Sequence, residues 1–148
     1  MSNQQEEWKL VPSCPGMSAS SLGRIRVLPY QLELPAGGVR TYQVKPTMGY
    51  LRRSFKTARH KYRGLWLRKY GNIKVHRMVC EAFYGTAPTA TSIVIHINED
   101  STDNRASNLK WGTQRENLNM PGFISYCKSR TGSKSPVVKG RLKKESNP

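Results

Sequence analysis

Apolar residues in the first half of the chain come in short runs broken by Gly, Pro or charge, and only after residue 74 do they take up helical spacing. Trp8 to Val11 opens an apolar segment that Pro12, Pro15 and Gly16 end. Leu22-Gly23 reads as a turn into a short strand over residues 24–28, and Pro35 to Gly38 as a loop. Residues 41–45, 49–56 and 64–70 carry strand-type side chains, so one small antiparallel sheet with a basic face is the natural assembly. The period then changes. Val75, Met78, Val79, Ala82 and Phe83 fall on one face of a helix that Gly85 and Pro88 terminate. Residues 92–97 return to a strand, 98–107 form a polar loop, and Leu109 and Trp111 flank Lys110 in a second short strand. Thr113-Gln114-Arg115-Glu116 fits a capping box, which predicts a helix with Thr113 as N-cap, stopped by Pro121-Gly122. From residue 129 onward Ser, Lys, Arg, Gly and Pro dominate without apolar periodicity, as in a flexible tail. The expected fold class is α+β: a basic, β-rich region over 1–70, a compact core over 71–120, and a basic tail over 121–148.

Charge sharpens this picture. With 25 Lys and Arg against 9 Asp and Glu, the 148-residue chain carries +16 at a pI near 10.2, an excess that calls for a polyanionic partner. No acid occurs from Leu34 to Cys80, whereas Glu99, Asp100, Asp103 and Glu116 gather in one later segment. Basic grip and acidic centre are thus separated along the chain. No apolar run approaches the roughly 18 residues of a membrane span. The basic stretch also lacks the spacing of a surface-lying amphipathic helix. The N-terminus has neither the positive start nor the apolar core of a signal peptide, so a cytoplasmic protein is expected. Cys14, Cys80 and Cys127 are odd in number and form no C-x-x-C pair, which argues against structural zinc or disulfides and leaves Cys80 as a helix-core residue.

Residues 96–117 describe a strand, a polar loop, a strand and a capped helix, a ββα unit in little more than twenty residues. Asn108, just before the second strand, can hydrogen-bond backbone groups and close the loop. The words Val75-His76-Arg77-Met78-Val79-Cys80-Glu81-Ala82-Phe83, Ile95-His96-Ile97, Asn104-Arg105, Asn108-Leu109-Lys110-Trp111 and Glu116-Asn117 resemble, in order and spacing, the HNH nucleases. The likeness is greatest to homing endonucleases of phage group I introns and their free-standing relatives. Glu7-Trp8-Lys9 to Pro15-Gly16, and Ser20 to Arg26, look like the NUMOD-type DNA-binding module that accompanies such nucleases. The resemblance implies a metal-dependent endonuclease acting on double-stranded DNA as a monomer, with His96 as general base, Asn108 as loop-fixing asparagine and Asn117 as metal ligand. Magnesium is the implied cation, with manganese an alternative, because a hard ion that keeps its waters accepts phosphate oxygens. Arg24, Arg26, Arg52, Arg53, Lys56, Arg59, Lys61, Arg63, Arg68, Lys69, Lys74 and Arg105 are the expected DNA contacts.

One position departs from the family. Asp or Asn usually precedes the catalytic His to hold the metal, and here Ile95 stands there. Asn117 with DNA oxygens and waters then suffices, or Asp100 or Asp103 substitutes, or the chain is a catalytically silent nucleic-acid-binding protein on an HNH scaffold. An RNA-binding role fits the charge but gives no reason for the spacing of His96, Asn108 and Asn117. By themselves His76 reads as a locally packed residue at a helix start, His60 as exposed or as a phosphate contact, and Trp111 as core.

Overall fold

The computed structural model describes residues 5–53 and 60–131, in an α+β arrangement of antiparallel strands and short helices. It divides into two units, residues 1–112 and 113–148.

In the first unit, β1 (Trp8–Leu10), β2 (Met17–Ser20), β3 (Ile25–Glu33) and β4 (Val39–Thr47) form a sheet in that order, every pair antiparallel. β2 escapes sequence reading because Met17-Ser18-Ala19-Ser20 is small, mixed in polarity and buried at all four positions, so no alternation marks it. β3 runs past residue 28 through Pro29 to Glu33. Pro29 is tolerated there because the β3–β4 register shifts between Val27 and Tyr30, where a missing N–H disturbs the ladder least.

A second sheet holds β5 (Tyr50–Arg53), β6 (Lys61–Leu67) and β7 (Gly71–Lys74), paired in chain order. The single sheet expected from the sequence is therefore two. Gly49 turns the chain between them at φ 72°, so close to β6 that a Cβ would lie 3.0 Å from both the Gly64 carbonyl oxygen and Val75 Cγ2. Ile73 is the lone apolar residue of β7, opposite Leu65, too little signal to reveal the strand. Position 70, the expected end of the basic region, lies in the turn of the β6–β7 hairpin.

Helix α1 (Val75–Tyr84) follows β7 directly and spans the predicted face. Val75, Met78 and Val79 enter a core with Val11, Met17, Ala19, Ile25, Leu65 and Ile73, while Ala82 and Phe83 pack against it half-buried. Burying each large aliphatic side chain contributes about 1.5–3 kcal/mol, so α1 is held by this core far more than by helix propensity. β8 (Ile93–His96) and β9 (Leu109–Gly112) pair antiparallel, with Ile95 opposite Lys110 and His96 opposite Leu109. Half-buried Trp111 packs on the core and donates from Nε1 to the Gly85 carbonyl at 2.9 Å.

The second unit begins with α2 (Gln114–Leu118), capped as expected: Glu116 N–H donates to Thr113 Oγ1 at 3.2 Å and Thr113 N–H to Glu116 Oε2 at 2.6 Å. Residues 121–128, assigned from the sequence to the tail, are instead a helix, α3 (Pro121–Lys128). Pro121 occupies its first turn, where no N–H is required, and so starts a helix as well as following one.

Candidate active site

β8 delivers His96 to the mouth of the 98–107 loop, and the loop is closed by amide chemistry. Ile97 N–H donates to the Asn108 carbonyl at 2.8 Å. The Asn108 side chain accepts from Asn98 N–H at 2.9 Å and donates from Nδ2 to Asn98 Oδ1 at 2.9 Å and to the Asp103 carbonyl at 2.8 Å. This is the loop-closing geometry that the sequence position of Asn108 suggested. Asp100 accepts from Thr102 N–H at 2.9 Å and from its hydroxyl at 2.8 Å, and these bonds hold its carboxyl below the usual range. Asp103 accepts from Arg105 Nε at 2.9 Å and Nη2 at 2.7 Å, and from Asn98 Nδ2 at 3.0 Å. The Arg105 contact is the main reason its carboxyl is lowered as well.

Elements from elsewhere in the chain wall in His96, which is 8% exposed. Its ring centroid lies 5.3 Å from that of His76, edge to face, and 6.2 Å from that of Tyr62, with Tyr62 and His76 themselves 5.1 Å apart. Nε2 of His96 meets Oδ1 of Asn104 at 3.1 Å. Burial pushes the His96 pKa below the ordinary histidine value, opposed by the Asn104 bond and by the charges of Asp100 and Asp103. The ring is consequently neutral at neutral pH and able to accept a proton. His76 is lowered further, to about 3, by burial first and then by His96, Lys74 and Arg77, and its Nδ1 is buried without a partner. Burial also raises the Tyr62 phenol.

Sequence reading gave His76 a local role and assigned none to Tyr62 or Asn104. The structure brings all three to His96. Non-local packing sets the first two, whereas the nearness of Asn104 to His96 in the chain was a signal that could have been used. Ile95, 1% exposed, is a core residue. Asn117 lies in α2 of the second unit.

The expected DNA contacts fall into groups. Arg24 is engaged with Glu6, donating from Nε at 2.9 Å and also from Nη2. Arg26 stacks 4.4 Å over Trp8. Arg63 donates to the Gly49 carbonyl at 3.4 Å, and Arg105 forks onto Asp103. Arg52, Lys61, Arg68, Lys69 and Lys74 are exposed. Arg68 and Lys69 border Tyr42, Tyr30 and Tyr70, and Tyr30 stacks on Tyr42 at 5.8 Å. Lys56, Arg59 and the side chain of Arg53 lie outside the described residues.

Among solved structures, the HNH homing endonuclease I-HmuI, from a study of its DNA binding and cleavage, is similar at 20% identity and a TM-score of 0.42. The match covers 82% of this chain and 66% of that one. No curated protein matches. Residues 73–119, which run from the end of β7 through α1, His96 and its asparagine-closed loop to Asn117, match the model of the HNH endonuclease family.

Proposed function

We propose that this chain is an HNH endonuclease that binds double-stranded DNA and hydrolyses a phosphodiester bond. The observation that carries the reading is the buried, neutral His96 at the end of β8, beside an asparagine-closed loop, inside the segment that matches the family. His96 takes a proton from a water whose oxygen bonds to phosphorus. The P–O3′ bond breaks, its electron pair goes to the 3′ oxygen, and that oxygen gains a proton from solvent to end as a hydroxyl beside a 5′ phosphate. Asn108 keeps the loop closed around the imidazole. The exposed cations on β5, β6 and the β6–β7 turn, with Lys74, track the phosphates. A monomer of the phage homing type, nicking DNA in the cytoplasm, completes the proposal. No helix among the described residues is long and apolar enough to cross a membrane.

Among the described residues no three His, Cys, Asp or Glu side chains are grouped to hold a metal. The loop acids are already bonded, Asp100 to Thr102 and Asp103 to Arg105 and Asn98. The residue proposed to hold an ion is Asn117, whose amide oxygen with DNA oxygens and waters is a donor set that suits Mg²⁺ or Mn²⁺. Such an ion would supply charge stabilisation at the leaving 3′ oxygen.

A second reading, a catalytically silent DNA-binding protein, is favoured by buried Ile95. Supercoiled plasmid incubated with magnesium or manganese decides between them. Nicking by the wild type, reduced about 10²- to 10⁴-fold in a His96→Ala protein that still folds and binds DNA, supports the endonuclease. Binding without nicking under either ion establishes the silent reading, and equal nicking by both proteins removes His96 from the chemistry.

A further inference from the structure

We propose that Asn104 is the positioning residue of His96: its amide oxygen fixes the proton on Nε2 and so makes Nδ1 the atom that accepts the proton from water. This rests on the reading of His96 as general base and specifies how that base is prepared.

Both partners are withdrawn from solvent, His96 at 8% and Asn104 at 4% exposure, with Nε2 and Oδ1 3.1 Å apart. An amide oxygen only accepts, so the neutral ring must carry its hydrogen on Nε2 and its lone pair on Nδ1. The same contact survives the reaction. After Nδ1 takes a proton, Nε2–H still donates to the same oxygen, and the bond strengthens because its donor is now cationic. A rotated amide would direct N–H at Nε2, fit only the opposite tautomer, and set donor against donor once the ring is protonated. Asn104 Nδ2 is itself buried with no partner among the described residues.

The backbone carrying Asn104 is held by a stretch far from it in sequence. Gly23, at φ 81° in the β2–β3 turn, lies so near that a Cβ would come within 2.7 Å of the Asn104 carbonyl carbon and 2.8 Å of its oxygen. Ala106 N–H donates to the Ser21 carbonyl at 2.9 Å in the same seam. Tyr84 adds a hydroxyl bond to the Ala106 carbonyl at 2.7 Å. The N-terminal turn therefore acts on His96 through Asn104. The other titratable groups around His96 are Asp100 and Asp103 on the loop, His60 before β6, Tyr62 on β6 and His76 on α1.

The test combines ring nitrogen-15 NMR of His96 with the pH profile of plasmid nicking in the full chain. Wild type should show protonated Nε2 and unprotonated Nδ1. Asn104→Leu should mix the tautomers and slow nicking about 10- to 100-fold, a smaller loss than His96→Ala gives. Asn104→Asp keeps an acceptor, so it should restore the Nε2–H tautomer and move the His96 midpoint up by about one to three pH units. Gly23→Ala should shift the tautomer in the same sense as Asn104→Leu. A wild-type ring protonated on Nδ1 overturns the proposal. So does a folded Asn104→Leu protein with wild-type tautomer and pH profile. If that variant does not fold, an unmoved midpoint in Asn104→Asp overturns it instead. Nicking that survives His96→Ala would sink the catalytic reading and with it the role of Nδ1 as proton acceptor, while the tautomer, measured without activity, still tests the hold of Asn104 on the ring.

Discussion

His76 is the side chain whose surroundings differ most from what its place in the chain suggests. Buried against His96 with its pKa near 3, it must stay neutral in the folded protein, whereas the unfolded chain protonates it near 6.5. A depressed histidine value means that the unfolded state binds more protons between those limits. Its contribution to stability is therefore complete above about pH 6.5 and is lost as pH falls toward 3, with a slope near 1.4 kcal/mol per pH unit. Urea midpoints measured from pH 7.5 down to 4 should fall on this account, and His76→Phe should flatten the part of the curve below 6.5. Ile95 gives a prediction of opposite kind. Family resemblance makes Ile95→Asp look like the repair of a metal site, but at 1% exposure the new carboxylate would be buried. A loss of about 3–5 kcal/mol in urea unfolding is expected. Retained stability together with faster metal-dependent nicking would show that residue 95 reaches a cation after all. The environment of His76 is not visible in the sequence, because Tyr62 and His96 come to it from other stretches of the chain.

The Asn108 amide makes three of the hydrogen bonds that close the loop between β8 and β9. Asn108→Ala removes three hydrogen bonds and orphans the Asn98 N–H, at a cost of about 1–3 kcal/mol. Hydrogen exchange should quicken across residues 98–107 while α1 stays protected; uniform protection would assign loop closure to other contacts. Elements whose signal is local were legible. The capping box placed the start of α2 correctly because Thr113 and Glu116 are both in view, and α1 announced itself by its 3.6-residue period. β2 and β7 were not, since one is wholly buried with small polar residues and the other has a single apolar side chain. α3 was missed because Pro121 is at once a stop for one helix and a start for the next. In the candidate site, loop closure by Asn108 was readable from its position before β9, while the ring cluster of Tyr62, His76 and His96 was not. Three elements far apart in the chain meet there.

At the scale of the whole protein, Arg24 pairs with Glu6 and Arg105 with Asp103, and the net +16 is the excess left after every acid is counted. Exposed Arg52, Lys61, Arg68, Lys69 and Lys74 remain for the phosphate backbone. With about six phosphate contacts, DNA affinity should fall roughly a thousandfold between 50 and 200 mM salt. Alanine at Arg52 and Lys61 should weaken binding to every duplex and lower the slope of affinity against salt, as fluorescence anisotropy would read. A flat response would remove DNA from the proposed partners. The seam between Gly23 and Asn104 also bears on time. The turn holding Gly23 leaves the ribosome before the loop that it meets, and long-range closures of this kind are the slow ones in folding. Until that loop has emerged, the β2–β3 turn has no partner for its Ser21 carbonyl and no backbone to close against. The setting of the His96 ring would thus be among the last features of each molecule to form.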